Sequence, residues 1–332
     1  MPVTIASAGR LVKNALIAAK VEATQGTDVL AGSPASADIL KVSNFSVNPI
    51  SSIFADRGQL RPTFGEFGKI FAGGSIEVSF DVELGGGGAA GTAPGYDMLL
   101  KGCGLAATIN AASNVTYNPI TTSQSSLTIY YYDSGQLHKL VAAKGNIDKI
   151  TMNAGETPKA SFKFIGVDAG IAATAIPATA PAATWVAPLG LNDTNSGDFT
   201  LGATYTLATG VIASGTAYAC SALELSLGNE VQFVQLLGQE VVDIVGRAVS
   251  GSVTLDLTPA QEVTFMTALK ANTTQSMVLS HGTTAGNKFQ VYAPLIQWTG
   301  MSKAEKNGRR LMTLPFVCQQ NAGNDDLYLA AL

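Results

Sequence analysis

The sequence predicts a mainly β protein: two tandem copies of one β-sandwich or open-barrel unit, each with a single packed α-helix. Three observations lead there. Residues 74–84 place Ile76, Val78, Phe80, Val82 and Leu84 on one face and Glu77, Ser79, Asp81 and Glu83 on the other, the period-two pattern of a half-buried strand. A matching series of strands, long loop and helix occurs twice along the 332 residues. Charged residues make up 13% of the chain while AVILMFWYC reach 46%, where an ordinary soluble domain carries ~25% charge. That balance argues against intrinsic disorder and points to a surface largely occupied by other protein.

Residues 1–37 read as a small-residue arm. Loose helical spacing of Leu11, Ala15, Ala18 and Val21 predicts a short helix over residues 10–22, broken by Gly26, Gly32, Ser33 and Pro34. The first unit spans 38–170. It opens with a strand carrying Val42, Phe45 and Val47, which Pro49 is expected to end. Residues 50–73 then read as a long charged loop holding Phe54, Phe64, Phe67 and Phe71. The patterned strand follows, then a glycine-rich loop, and then a helix with Tyr96, Leu99, Leu100 and Cys103 at i, i+3, i+4, i+7. SSLTIYYYD, LHKLVAA, NIDKITMN and KASFKFIG read as four closing strands, with turns at 133–135 and 154–158. Residues 171–200 have the Ala, Thr and Pro content of a linker.

The second unit, 201–320, repeats the order. LELSLGNE stands where FSVNPI stood, and GSVTLDL, with Asp256 on its polar face, where GSIEVSF stood. The helix has an N-cap at Thr258, a proline at its first position and a capping-box glutamine at Gln261. QSMVLSH matches QSSLTIY, and FQVYAPLIQW with RRLMTLPFV matches the closing strands. Residues 229–248 form the loop equivalent to 50–73, with Phe233, Leu236 and Leu237, and residues 321–332 form a tail.

Several functions are disfavoured. The 20 Lys+Arg and 24 Asp+Glu show no basic clustering of the kind that reads nucleic acid. Cys103, Cys220 and Cys318 lack a CxxC pair and read as buried thiols of a reducing compartment. Arg10, Lys13 and Lys20 interrupt the apolar stretch that an export signal would need, and no run approaches a membrane helix. His138 and His281 lack ligand-spaced partners, residues 85–88 lack the lysine of a phosphate loop, and no GxSxG occurs. The reading is therefore non-enzymatic, with no catalytic, cofactor-binding or metal residues and no cofactor.

The segments AAKVEATQGTD and VSNFSVNPISSIFADRGQLRPTFGEFGKIFAGGSIEVSFDVELGGGGAAGTAPGYDMLLKGCG, with the duplicated unit, resemble the tail tube (major tail) proteins of long-tailed bacteriophages. That resemblance covers nearly the whole chain. It implies a virion protein, assembled in the host cytoplasm, whose units join side by side into rings that stack into a hollow tube. Its implied partners are further copies of itself, the tape-measure protein inside the channel and the tail terminator and distal tail proteins, with DNA passing transiently and no membrane. Rings of six units imply that a two-unit chain closes as a trimer, a one-unit chain as a hexamer. On this reading Glu77, Asp81, Glu83 and Asp256 line the channel and repel phosphate; the alternative is a solvent-facing outer sheet. Phe64, Phe67, Phe71, Phe233, Leu236 and Leu237 anchor one ring on the next; the alternative is hairpins packed on their own unit. A secreted or pilus-like adhesin also fits the composition but would need an export signal.

Overall fold

The structure, a computed structural model, describes residues 11–332. The first half of the chain contains β1 (Ala15–Val21), β2 (Ser43–Ala55), β3 (Ile70–Glu83), α1 (Asp97–Gly102), β4 (Leu105–Asn110), β5 (Asn114–Pro119), β6 (Leu127–Asp133), β7 (Gln136–Asn153) and β8 (Lys159–Ala173). The second contains β9 (Phe199–Leu201), β10 (Thr204–Thr206), β11 (Val211–Ala213), β12 (Thr216–Tyr218), β13 (Cys220–Ser226), β14 (Asn229–Leu236), β15 (Gln239–Arg247), β16 (Ser250–Leu255), α2 (Pro259–Lys270), β17 (Thr274–His281), β18 (Phe289–Trp298), β19 (Ser302–Lys306), β20 (Arg309–Gln319) and β21 (Tyr328–Ala331).

Pairing repeats between the halves. In the first, β2 pairs β3, β3 pairs β8, β8 pairs β7, β7 pairs β6 and β6 pairs β1. In the second, β13 pairs β16, β16 pairs β20, β20 pairs both β18 and β19, β18 pairs β17 and β17 pairs β9. The long β7 thus corresponds to β18 and β19 together. The halves join where the end of β7 pairs β13, Ile150 opposite Leu225 and Asn153 opposite Ala222. One antiparallel sheet therefore runs β2-β3-β8-β7-β13-β16-β20-β19, eight strands without interruption.

One face of this sheet is the core. Ile76, Val78, Phe80, Ile147, Phe162, Phe164, Leu223, Leu225, Val253, Leu255, Leu314 and Phe316 are buried in one apolar cluster that spans both halves. Phe80, Phe162 and Phe164 pack with ring centroids 6.0 to 6.1 Å apart. Each such ring contributes about 1.5–3 kcal/mol by leaving water. Helix α1 buries Leu99 and Leu100, while α2 inserts Phe265 edge-on against Trp298 at 5.5 Å. The Thr258 hydroxyl accepts from the Gln261 amide, and the Gln261 side chain accepts from the Thr258 amide. Thr258→Ala should cost about 1 kcal/mol and lower Tm by about 1–2 °C in a calorimetric scan.

Several elements differ from the sequence expectation. The arm's helix is instead β1, because the otherwise open edge of β6 supplies a strand partner from Ala15 opposite Asp133 to Val21 opposite Leu127; residue 10 lies outside the described residues. Pro49 does not end β2. It sits at a register break on a strand whose other edge is unpaired, where no amide hydrogen is missed. The loop at 50–73 is a long β2–β3 hairpin with only residues 56–69 outside the strands, and 229–248 is the β14–β15 hairpin. LHKLVAA and NIDKITMN form one strand, β7, bent by three register shifts against β8. The stretch 171–200 is packed, with Trp185 and Leu191 buried, and 321–332 contains β21, which pairs both β5 and β18.

Candidate assembly surfaces

The face of the eight-stranded sheet opposite the core is polar. Along β3 it presents Glu77, Ser79, Asp81 and Glu83, and β8 adds Lys163, Ser161 and Lys159 directly opposite the last three. Glu77 pairs with Lys163 at 2.9 Å, Lys149 with Glu224 at 2.6 Å across the β7–β13 junction, and Asp256 with Arg309 at 2.5 Å. Asp81 accepts from the Ser161 hydroxyl at 2.5 Å and the Asn44 amide at 2.6 Å, and Glu83 from the Thr157 hydroxyl at 3.3 Å. The four carboxylates singled out in the sequence thus share one face, but that face is not acidic as a whole. Each neighbouring strand brings a cation, so charge is matched within the sheet. The pairs are about half exposed, and exposed pairs add little stability. Their consequence is a neutral, hydrogen-bonded wall.

The two edges of this sheet are open. Among the described residues β2 pairs only β3, and β19 pairs only β20. An open edge of that length invites another chain.

Two hairpins project from the sheet. On β2–β3, Phe54 and Phe71 are each 52% exposed, meeting edge-on at 5.9 Å, and Phe64 at the tip is fully exposed. Phe67 is half-buried under the Arg61 guanidinium, 4.3 Å from its ring centre. On β14–β15, Leu236 and Leu237 are exposed at the tip while Phe233 is half-buried in the stem. This second stem lies over the first half of the chain. Lys144 reaches Asp243 at 2.8 Å, Asn229 donates to the Cys103 carbonyl at 2.7 Å, and Gln25 donates to the Val242 carbonyl at 3.0 Å. The end of the second hairpin reaches the stem of the first, Gln235 donating to the Ala72 carbonyl.

Chain-wide comparison converges on the same reading. A family model described as phage tail tube protein matches residues 13–319. The chain belongs to the phage tail tube protein family. Comparison with curated proteins finds no match. This tail tube chain is accordingly a structural virion protein of a bacteriophage tail, from a family that self-assembles into a tube and associates with other tail proteins.

The groups that could carry chemistry have structural surroundings. Among the described residues no group of three or more His, Cys, Asp or Glu could hold a metal, and no helix is long and apolar enough to cross a membrane. Cys103 is buried, and Cys220 and Cys318 are partly so. Burial pushes Cys103 well up and the other two up to about 12, away from the low values of reactive thiolates. His281 is buried, its Nε2 donating to the Leu189 carbonyl at 2.9 Å and its Nδ1 accepting from Ser196 at 2.9 Å. It ties residues 189–196 to β17. Burial lowers its pKa, the Leu189 contact opposing. A histidine lowered on folding stabilises the protein above its unfolded value of about 6.5, and that stability is lost as pH falls below it. Melting between pH 7.5 and 5.5 should show a steeper decline for the native chain than for His281→Gln.

Proposed function

We propose that this chain polymerises as stacked rings of three into the hollow tail tube, the conduit through which DNA leaves the virion. The observation that carries the reading is the β7–β13 junction. The two halves are joined by pairing the last strand of one four-stranded sheet with the first strand of the next. The same operation between chains pairs β19 of one with β2 of its neighbour and satisfies both open edges. Three chains then contribute 24 strands. At about 4.8 Å spacing and 35–45° tilt, such a barrel measures about 45–55 Å between opposite backbones, a bore that admits a duplex after side chains are subtracted.

The wall of that bore is the polar face, with Glu77, Asp81, Glu83 and Asp256 turned inward. Tight DNA binding comes from cations that replace counterions on phosphate. Where Lys163, Lys149 and Arg309 are already paired, that exchange offers little, and DNA slides. The tape-measure protein occupies the same bore before ejection, and the terminator and distal tail proteins cap the tube's ends. The β14–β15 stem over the first half has a counterpart in the β2–β3 stem, whose exposed Phe54 and Phe71 cover the preceding chain in the ring. The tips, with Phe64, Phe67, Leu236 and Leu237, meet the next ring. Negative-stain microscopy over a concentration series tests the reading. Rings and tubes are the expected result, and monomers at every concentration, also in the presence of the tail's other components, contradict it.

A further inference from the structure

A groove of about 550 Å³ opens beside the start of β2, lined by Lys41, Phe45, Asp81, Glu83, Tyr131 and Trp185 among others. Lys41 is turned to the Trp185 carbonyl at 3.1 Å, and Phe45 stacks on Tyr131 at 4.3 Å. The second half has a groove at the corresponding place, beside the start of β13, and there part of the wall is Met152 and Ala154 from the first half. The β7–β8 turn is seated against that site by main-chain hydrogen bonds: Ala154 N to Ser221 O at 3.0 Å, Gly155 N to Leu191 O at 2.8 Å, and Leu191 N to Glu156 O at 2.8 Å. Within the chain, therefore, each half offers a groove at the first strand of its sheet and a turn at the last. One groove receives a turn. Among the described residues the other groove and the other turn, at β19–β20, are left without a mate.

We infer that the β19–β20 turn of one copy seats in the β2 groove of the next, with its Lys306 and Arg310 brought to Asp81 and Glu83. This inference rests on the ring reading above. The turn is Lys303-Ala-Glu-Lys306-Asn-Gly-Arg309-Arg310, every residue exposed except the half-buried Ala304. Its net charge is positive, and of its cations Lys303 and Arg309 have carboxylate partners at Glu262 and Asp256 while Lys306 donates to the Ser221 hydroxyl. The groove offers Asp81 and the exposed Glu83 at its polar rim; Lys41 on its wall is engaged by the Trp185 carbonyl, and Lys159 stands opposite Glu83 on β8. The seated β7–β8 turn has a different character, Glu156 being balanced by Lys159, and its receiving site presents Ser221 with Lys306 beside it. The second half of a neighbouring copy brings Lys306 and Arg310 to the β2 groove. The backbone seat is common to both junctions, and at the junction between chains opposite charge is added to it.

Charge exchange tests this. K306E/R310E leaves the Arg309–Asp256 pair intact, and D81K/E83K reverses the groove. Each should raise the concentration needed for ring assembly at least about tenfold at 0.1 M salt, and the four substitutions together should bring it back to within about threefold of the native chain. Melting curves of the monomers establish that each variant folds. If D81K/E83K does not fold, the single exchange of E83K with R310E carries the same test. Native-like assembly by either charge-reversed variant, or failure of the combined variant to recover, overturns the inference while leaving the ring reading standing. Absence of rings from the native chain overturns the ring reading itself.

Discussion

Replacing Phe54 and Phe71 together with aspartate leaves a folded chain that does not form rings. Both rings are half in water in the single chain, so the monomer loses little when they go. In the tube they cover the preceding chain, as the β14–β15 stem covers the first half through Asp243, Asn229 and Val242. Burying a whole phenylalanine contributes about 1.5–3 kcal/mol and about half of that is left for each ring to gain, so losing two, and placing two charges in their stead, weakens each junction by at least about ten- to a hundredfold. Analytical ultracentrifugation reads the loss as monomers where the native chain sediments as rings. An unchanged melting temperature shows that the fold is kept.

The second large effect concerns stacking. Removing residues 58–68 deletes the exposed tip with Leu60 and Phe64 but spares β2 and β3, whose pairing runs from Ser43 opposite Asp81 to Ala55 opposite Ile70. Rings should form at the native concentration and remain single. Electron microscopy would show discs instead of tubes. Tubes of native length from this variant would mean that the tips make no contact between rings.

Much of this architecture was legible in the sequence, for identifiable reasons. Strand β3 alternates strictly because one of its faces meets Phe162 and Phe164 while the other stays polar, a local pattern with a local signature. Helix α2 announced itself through Thr258, Pro259 and Gln261, which act within one turn. Strand β1 did not. Its alanines suit helix and strand alike, and the deciding fact is the free edge of β6, more than 100 residues away in the chain. Hairpin β4–β5 and the short strands β10 to β12 are too brief for periodicity to register. The charge of the polar face was misread for the same reason. Glu77, Asp81 and Glu83 are neighbours in sequence, whereas Lys163 and Lys159, which balance them, come from a strand some 80 residues on. The repeat was legible as an order of elements. That the junction between the halves is itself a template for the contact between chains became visible only with the strand pairing in place.

A cross-section of the assembled tube by cryo-electron microscopy tests the central claim most directly. The account predicts a closed barrel of 24 strands from three chains, β19 of each paired with β2 of the next, and Glu77, Asp81, Glu83 and Asp256 facing the bore. A tube whose β2 and β19 edges stay unpaired, or whose four carboxylates lie on the outer wall, would contradict it.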